Sequence, residues 1–242
     1  MLSEPPATTL ADDLVTMLEA TGVAERALFA SLDDARMAAR MPNDAWSALD
    51  LLGHLGAWRA IEARRLNATA GLAPSTADDP SADEPVDDAN ARLVAERRGR
   101  SRADIEAEAE ASLNALGAAI RASSVDALCE CDQLAAGIGA NGINHAIGHL
   151  GDVARLVEDE ATYAAFADAV EHVLARSHLP PRDSGVMLYN LACHRALSGD
   201  LHDARRLLRR AFTARRADLV DFAQTDPDLA ALRDELADLA TP

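Results

Sequence analysis

The chain has 242 residues and a formal charge of −17, from 40 acidic side chains against 23 basic ones, every one of them arginine. So acidic a chain repels phosphate backbones, which excludes general nucleic-acid binding, and no apolar run reaches the ~18–20 residues that a membrane-spanning helix needs. Aromatic residues are only 3% of the chain and alanine is abundant, which favours helix over strand, so the expected fold class is all-α.

Residues 8–39 read as one long helix with a weak point at Gly22, because Leu14, Met17, Leu18, Leu28, Leu32 and Met37 recur near the helical period. Asn43-Asp44 caps a second helix over 45–68, whose apolar positions are Trp46, Leu49, Leu52, Leu55, Ile61 and Leu66. Residues 73–88 carry three prolines and six acidic side chains with no arginine, a composition for a solvated loop. A third helix is expected over 89–122, interrupted at Gly99. Its arginines at 97, 98, 100 and 102 suit a solvated face or a partner for acidic side chains. Residues 123–137 form a connection holding Cys129 and Cys131, read as packing thiols. With Cys193 these three are too few, and odd in number, for a disulfide framework. A fourth helix follows over 138–159.

Beyond a boundary near 160, a helix over 162–176 and a proline break at 177–184 lead to helices at 184–198, 201–216 and 226–238. Asp226 is placed as the N-cap of the last, with Pro227 in its first turn. The expected domains are thus 1–160 and 161–242. The first twenty residues lack the basic-then-apolar order of a secretory signal, which points to a cytoplasmic protein.

The chemistry lies in three histidines. His145 and His149 are four apart, so a helix sets both imidazoles on one face, a spacing that grips one metal ion. His54 falls on the apolar stripe of the second helix with Trp58 and Ile61, directed inward, and is the candidate third ligand. Asp50, one turn before His54, and Asp152, three residues after His149, stand either as carboxylates orienting an imidazole or as solvated charges. Trp58 and Asn141 are candidate pocket residues. The same pattern also describes core histidines held by hydrogen bonds, and both readings stay open on spacing alone. His172, His178, His194 and His202 read as surface or packing positions. No nucleophile elbow or phosphate loop competes with this site.

The stretch Trp46…His54-Leu-x-x-Trp58 and the later His145-x-x-x-His149 resemble the DinB-like superfamily, which takes in the DinB/YfiT, DfsB and mycothiol-dependent maleylpyruvate isomerase groups. The resemblance covers roughly residues 8–159. It implies a four-helix bundle and a divalent metal, zinc or nickel, held by His54, His145 and His149. Three protein ligands leave coordination positions open, the mark of a catalytic site. The implied activity is that of a metal-dependent enzyme on a small molecule: a transferase or isomerase using a low-molecular-weight thiol, or a hydrolase.

The segment from Tyr189 to Phe212 resembles one tetratricopeptide repeat: Leu191 and Ala192 match its first helix, Gly199-Asp200 its turn, and Ala204 and Ala211 its second helix. Leu188, Leu208 and Arg216 depart from the pattern. One repeat cannot bury its own face, so this part is either a packing or homodimerisation lobe or a dock for a protein partner. The arginines from 205 to 216 form a basic strip able to pair within the chain, across a dimer, or with an acidic partner. The alternative to an enzyme is an interaction protein, or one that binds a reactive metabolite in self-protection.

Overall fold

The structure is a computed structural model of the chain. The structure describes residues 9–41, 46–69, 84–124, 128 and 134–241. The expected cap at Asn43-Asp44, most of the acidic loop, and Cys129 and Cys131 lie outside them. Every regular element among the described residues is helical, as expected of an all-α chain, and the one β-bridge joins Arg40 to Ser47. No helix among them is long and apolar enough to cross a membrane. The chain divides into two compact units, residues 1–143 and 144–242. The division falls inside the helix expected over 138–159.

In the first unit, α1 (Leu10–Ala30) starts at a reciprocal cap in which Thr9 and Asp12 bond each other's backbone and side chain. The expected break at Gly22 is absent. The helix ends at Ser31 instead, and α2 (Asp34–Ala38) restarts it because the Asp33 carboxylate accepts the Arg36 amide at 2.8 Å. Helix α3 (Ala48–Thr69) and α5 (Arg102–Ala122) pack against each other, α1 packs on α5, and the short α4 (Val86–Ala95) packs on α3. The expected interruption between α4 and α5 is present at Gly99, whose φ of +83° is left-handed backbone that glycine tolerates.

The arginine run there is tied to carboxylates of the same unit. Arg97 and Arg100 both pair with Glu108, and Arg102 pairs with Glu106 and Asp34. Arg102 also donates to Leu32 O at 2.6 Å and Phe29 O at 3.1 Å, which ties the chain at the end of α1 to the start of α5.

The fourth helix begins earlier than expected, as a π-helical segment over Leu134–Asn144. Within it Gly137 meets the buried Glu62 of α3: a β-carbon at 137 would lie 2.1 Å from Glu62 Oε1. Glu62 is 0% exposed, so its carboxylate has no solvent to retreat into. Gly137→Ala is therefore expected to destabilise the chain by about 1–3 kcal/mol, the usual cost of overpacking, read as a lower urea midpoint with the helical circular dichroism retained.

The second unit contains α6 (His145–Val157), α7 (Glu160–Leu174), α8 (Pro181–Leu197) and α9 (Leu201–Ala223), then a 3-10 segment (Pro227–Glu235) and α10 (Leu236–Leu239). Helix α6 stops two residues before its expected end, at Glu158 in left-handed backbone (φ 58°). The α8–α9 pair is a close helical hairpin that turns at Gly199 (φ +84°), with Asp200 as N-cap. Helix α9 is kinked at Arg215, close to its expected end, and runs on to Ala223.

Asp226 caps the final segment and Pro227 opens it, as the sequence predicts, but its first nine residues are 3-10 rather than α. The fully buried Leu229 and Leu232 are three apart, one 3-10 turn. The basic strip pairs within the unit: Arg205 with Glu235 at 2.7 Å, Arg206 and Arg210 with Glu171, and Arg215 with Asp218 at 2.9 Å.

Candidate metal-binding histidines

Helix α3 is set one turn before His54 by a reciprocal cap. The Ser47 amide and hydroxyl donate to Asp50 Oδ2 at 3.0 and 2.8 Å, and the Asp50 amide donates to Ser47 Oγ at 3.1 Å. The carboxylate offered above as an orienting group thus closes the start of the helix. His54 is 0% exposed, and its ring centroid lies 4.6 Å from that of Trp46. The inward direction read from the sequence holds. Trp58 follows one turn later and donates its indole N–H to Asn90 Oδ1 at 2.9 Å. It packs with Ala57, Ile61, Ala89 and Leu93, tying α3 to α4. Asn141 is half-buried in the π-helical segment.

In the second unit His145 and His149 lie on one face of α6, as their spacing predicts. Both are half-buried, with ring centroids 5.0 Å apart and planes tilted by 36°. Between them, the Ile147 carbonyl accepts the Tyr163 hydroxyl at 2.8 Å, which pins this turn of α6 to α7. Asp152 is about half-exposed and its carboxylate goes to Arg155. His172, His178 and His202 are exposed, in line with a surface role.

His194 is more than a packing position. Its Nε2 contacts Glu160 Oε2 at 3.0 Å and its Nδ1 contacts Arg155 Nη1 at 3.1 Å. Its ring stacks on Tyr163 at a centroid distance of 3.6 Å. Burial, then the charges of Arg155 and Arg195, push its pKa down to about 3. Nothing in the sequence pairs this histidine with Glu160 and Arg155, which stand 34 and 39 residues away.

Among the described residues, donors of the kind that hold a metal ion are offered by the imidazole of His54 in the first unit, by those of His145 and His149 in the second, and by Cys193 with Asp226 and Asp228. The cysteine set lies wholly in the second unit, with ligand atoms within 4.8 Å of one another. Its geometry is accounted for by capping. Asp226 accepts the Asp228 amide at 3.0 Å, the Tyr189 hydroxyl at 2.6 Å and the Cys193 thiol at 3.7 Å. Burial, and then the charge of Asp226, push the Cys193 thiol well above its ordinary pKa, which keeps it protonated and a poor nucleophile.

The histidine set is chemically different. Three imidazoles are neutral donors of borderline softness, suited to zinc or nickel. No family model, curated protein or solved structure matches the chain.

Proposed function

We propose that the chain is a metal-dependent enzyme of the DinB-like kind that acts on a small molecule, with His54, His145 and His149 holding one zinc or nickel ion. The observation that carries this reading is the pair on α6: two half-buried imidazoles on one helical face, 5.0 Å apart. The complete burial of the imidazole of His54 supports it. When bound, such an ion supplies a Lewis acid that acidifies water or keeps a thiol deprotonated.

The chain's own part is to hold the imidazoles in place. The Ser47–Asp50 cap fixes the start of α3 one turn before His54, and the Tyr163 bond to Ile147 O anchors α6 between His145 and His149. Such supporting bonds set the orientation of metal-binding side chains. The thiol-dependent transferase or isomerase chemistry follows from the same resemblance, with the thiol arriving as co-substrate.

The test loads the untagged chain with Co²⁺ and follows its visible spectrum as cysteine is added as a thiol probe. The reading expects ligand-field bands that His54→Ala, His145→Ala and His149→Ala each abolish, and a thiolate charge-transfer band on adding the probe. Absent bands, or bands that survive all three substitutions, overturn the metal site. Bands without a thiol response overturn the thiol chemistry alone.

A further inference from the structure

We propose that α8, the first helix of the repeat-like hairpin, holds the histidine pair of α6 in register, directly through Asn190 and, behind Tyr163, through His194; this rests on the reading that His145 and His149 bind a metal ion. Asn190, Tyr163 and His194 are then positioning residues, and the hairpin serves the site rather than an outside partner. All the side chains concerned lie within the second unit. Asn190 Nδ2 donates to Asn144 Oδ1 at 2.8 Å. Asn144 is the N-cap of α6, next to His145, where an asparagine side chain usually bonds an amide of its own helix. It makes no such bond and is committed to α8 instead.

Between the two histidines, Tyr163 donates its hydroxyl to the Ile147 carbonyl at 2.8 Å. Beyond His149, the ring of His194 fills the space that Gly151 leaves, where a β-carbon would stand 2.5 Å from Nδ1, and that nitrogen takes Arg155 at 3.1 Å. The rings of His194 and Tyr163 stack at 3.6 Å, so α8 also backs the bond to Ile147. Asn144, Ile147, Gly151 and Arg155 recur at helical spacing on one side of α6, while His145 and His149 share another. These contacts therefore fix the rotation and height of α6 without using an imidazole nitrogen of the pair. A small turn of the helix would swing both rings together, away from the point at which they meet one ion. Asn190 and His194 are one turn apart on α8 and so reach the same neighbour. Tyr189, beside Asn190, sends its hydroxyl elsewhere, to Asp226 at 2.6 Å.

The experiment is Co²⁺ titration of the full untagged chain, read at the ligand-field bands, in wild type, Asn190→Ala, Tyr163→Phe and Tyr189→Phe. Each tyrosine variant loses one hydroxyl bond in the second unit, so a merely structural role would move both alike. The proposal expects Asn190→Ala and Tyr163→Phe each to weaken Co²⁺ binding about tenfold, the scale on which supporting groups act, with the bands altered. Tyr189→Phe is expected to bind as wild type. Circular dichroism checks folding. Asn190 is half-buried, so its variant decides the matter should Tyr163→Phe fail to fold. Wild-type affinity in a folded Asn190→Ala or Tyr163→Phe, or equal weakening by Tyr189→Phe, overturns the proposal and leaves the metal reading standing. Absence of histidine-dependent bands in wild type overturns both.

Discussion

Glu25→Ala is expected to lower the stability of the chain by about 3–5 kcal/mol, read as a fall in the urea midpoint at unchanged slope. Its partner Arg59 is 0% exposed, held between Glu25 and its own helix. Arg59 Nη1 and Nη2 approach the two Glu25 oxygens at 2.9 and 3.1 Å, and Nε donates to Leu55 O at 3.1 Å. Removing the carboxylate leaves a guanidinium that cannot shed its proton, in a place water does not reach. The loss is then the cost of an uncompensated buried charge, larger than the worth of the pair itself. A double variant, Glu25→Leu with Arg59→Met, tests this directly. It is expected to recover most of the loss, since hydrophobic replacement of a buried ion pair is commonly close to neutral. The penalty is also expected to persist at high salt, because ions screen buried pairs weakly. A single-variant loss below about 1 kcal/mol is what a solvated pair would give, and would contradict the buried pairing.

The second large effect is a dependence on pH through His194. In the folded chain its pKa is depressed to about 3, first by burial and then by Arg155 and Arg195, whereas unfolded histidine titrates near 6.5. Between these values the unfolded chain binds the extra proton, so acidification favours unfolding. The contribution is fully present above pH ~6.5 and falls by about 1.4 kcal/mol per pH unit inside the window.

The hydrogen bonds agree with the neutral ring: Arg155 donates to Nδ1, which leaves the Nε2 hydrogen to be donated to Glu160. Gly151 leaves room for the ring, since a β-carbon there would stand 2.5 Å from Nδ1. Carboxylates such as Glu171 and Asp159 are held below their ordinary pKa by Arg206 and Thr162, so they titrate lower in pH. The other histidines titrate in the same window when unfolded, so the difference between wild type and His194→Gln is what isolates His194. Between those two points wild type is expected to lose about 1.5 kcal/mol more than His194→Gln. Parallel stability curves for the two would contradict a buried neutral imidazole.

What could be read in the sequence follows from which forces are local. Helix content, the cap at Asp226-Pro227, the interruption at Gly99 and the shared face of His145 and His149 depend on residues within a turn or two of each other. The apolar period continues through Leu32 and Met37 and so hides the end of α1, while the bond from the Arg36 amide to Asp33 starts a separate helix. The π-helical turns before His145 were not legible, nor was the 3-10 winding after Pro227, because both depend on what the segments pack against. The Glu25–Arg59 pair and the His194 contacts join residues 34 to 39 apart, and an arginine-rich acidic chain offers many equally good pairings. Asp50 shows the converse. Its spacing from His54 suggested an orienting carboxylate, but the competing partner, Ser47, stands only three residues away.

The central claim is that three histidines hold one ion. Its most direct test is the metal content of untagged chain after exposure to zinc or nickel and removal of excess, by elemental mass spectrometry. The account predicts close to one ion per wild-type chain and a fall to background in His54→Ala, His145→Ala and His149→Ala, with Cys193→Ser unaffected. Metal at background in the wild type, or retained in all three histidine variants, would contradict it.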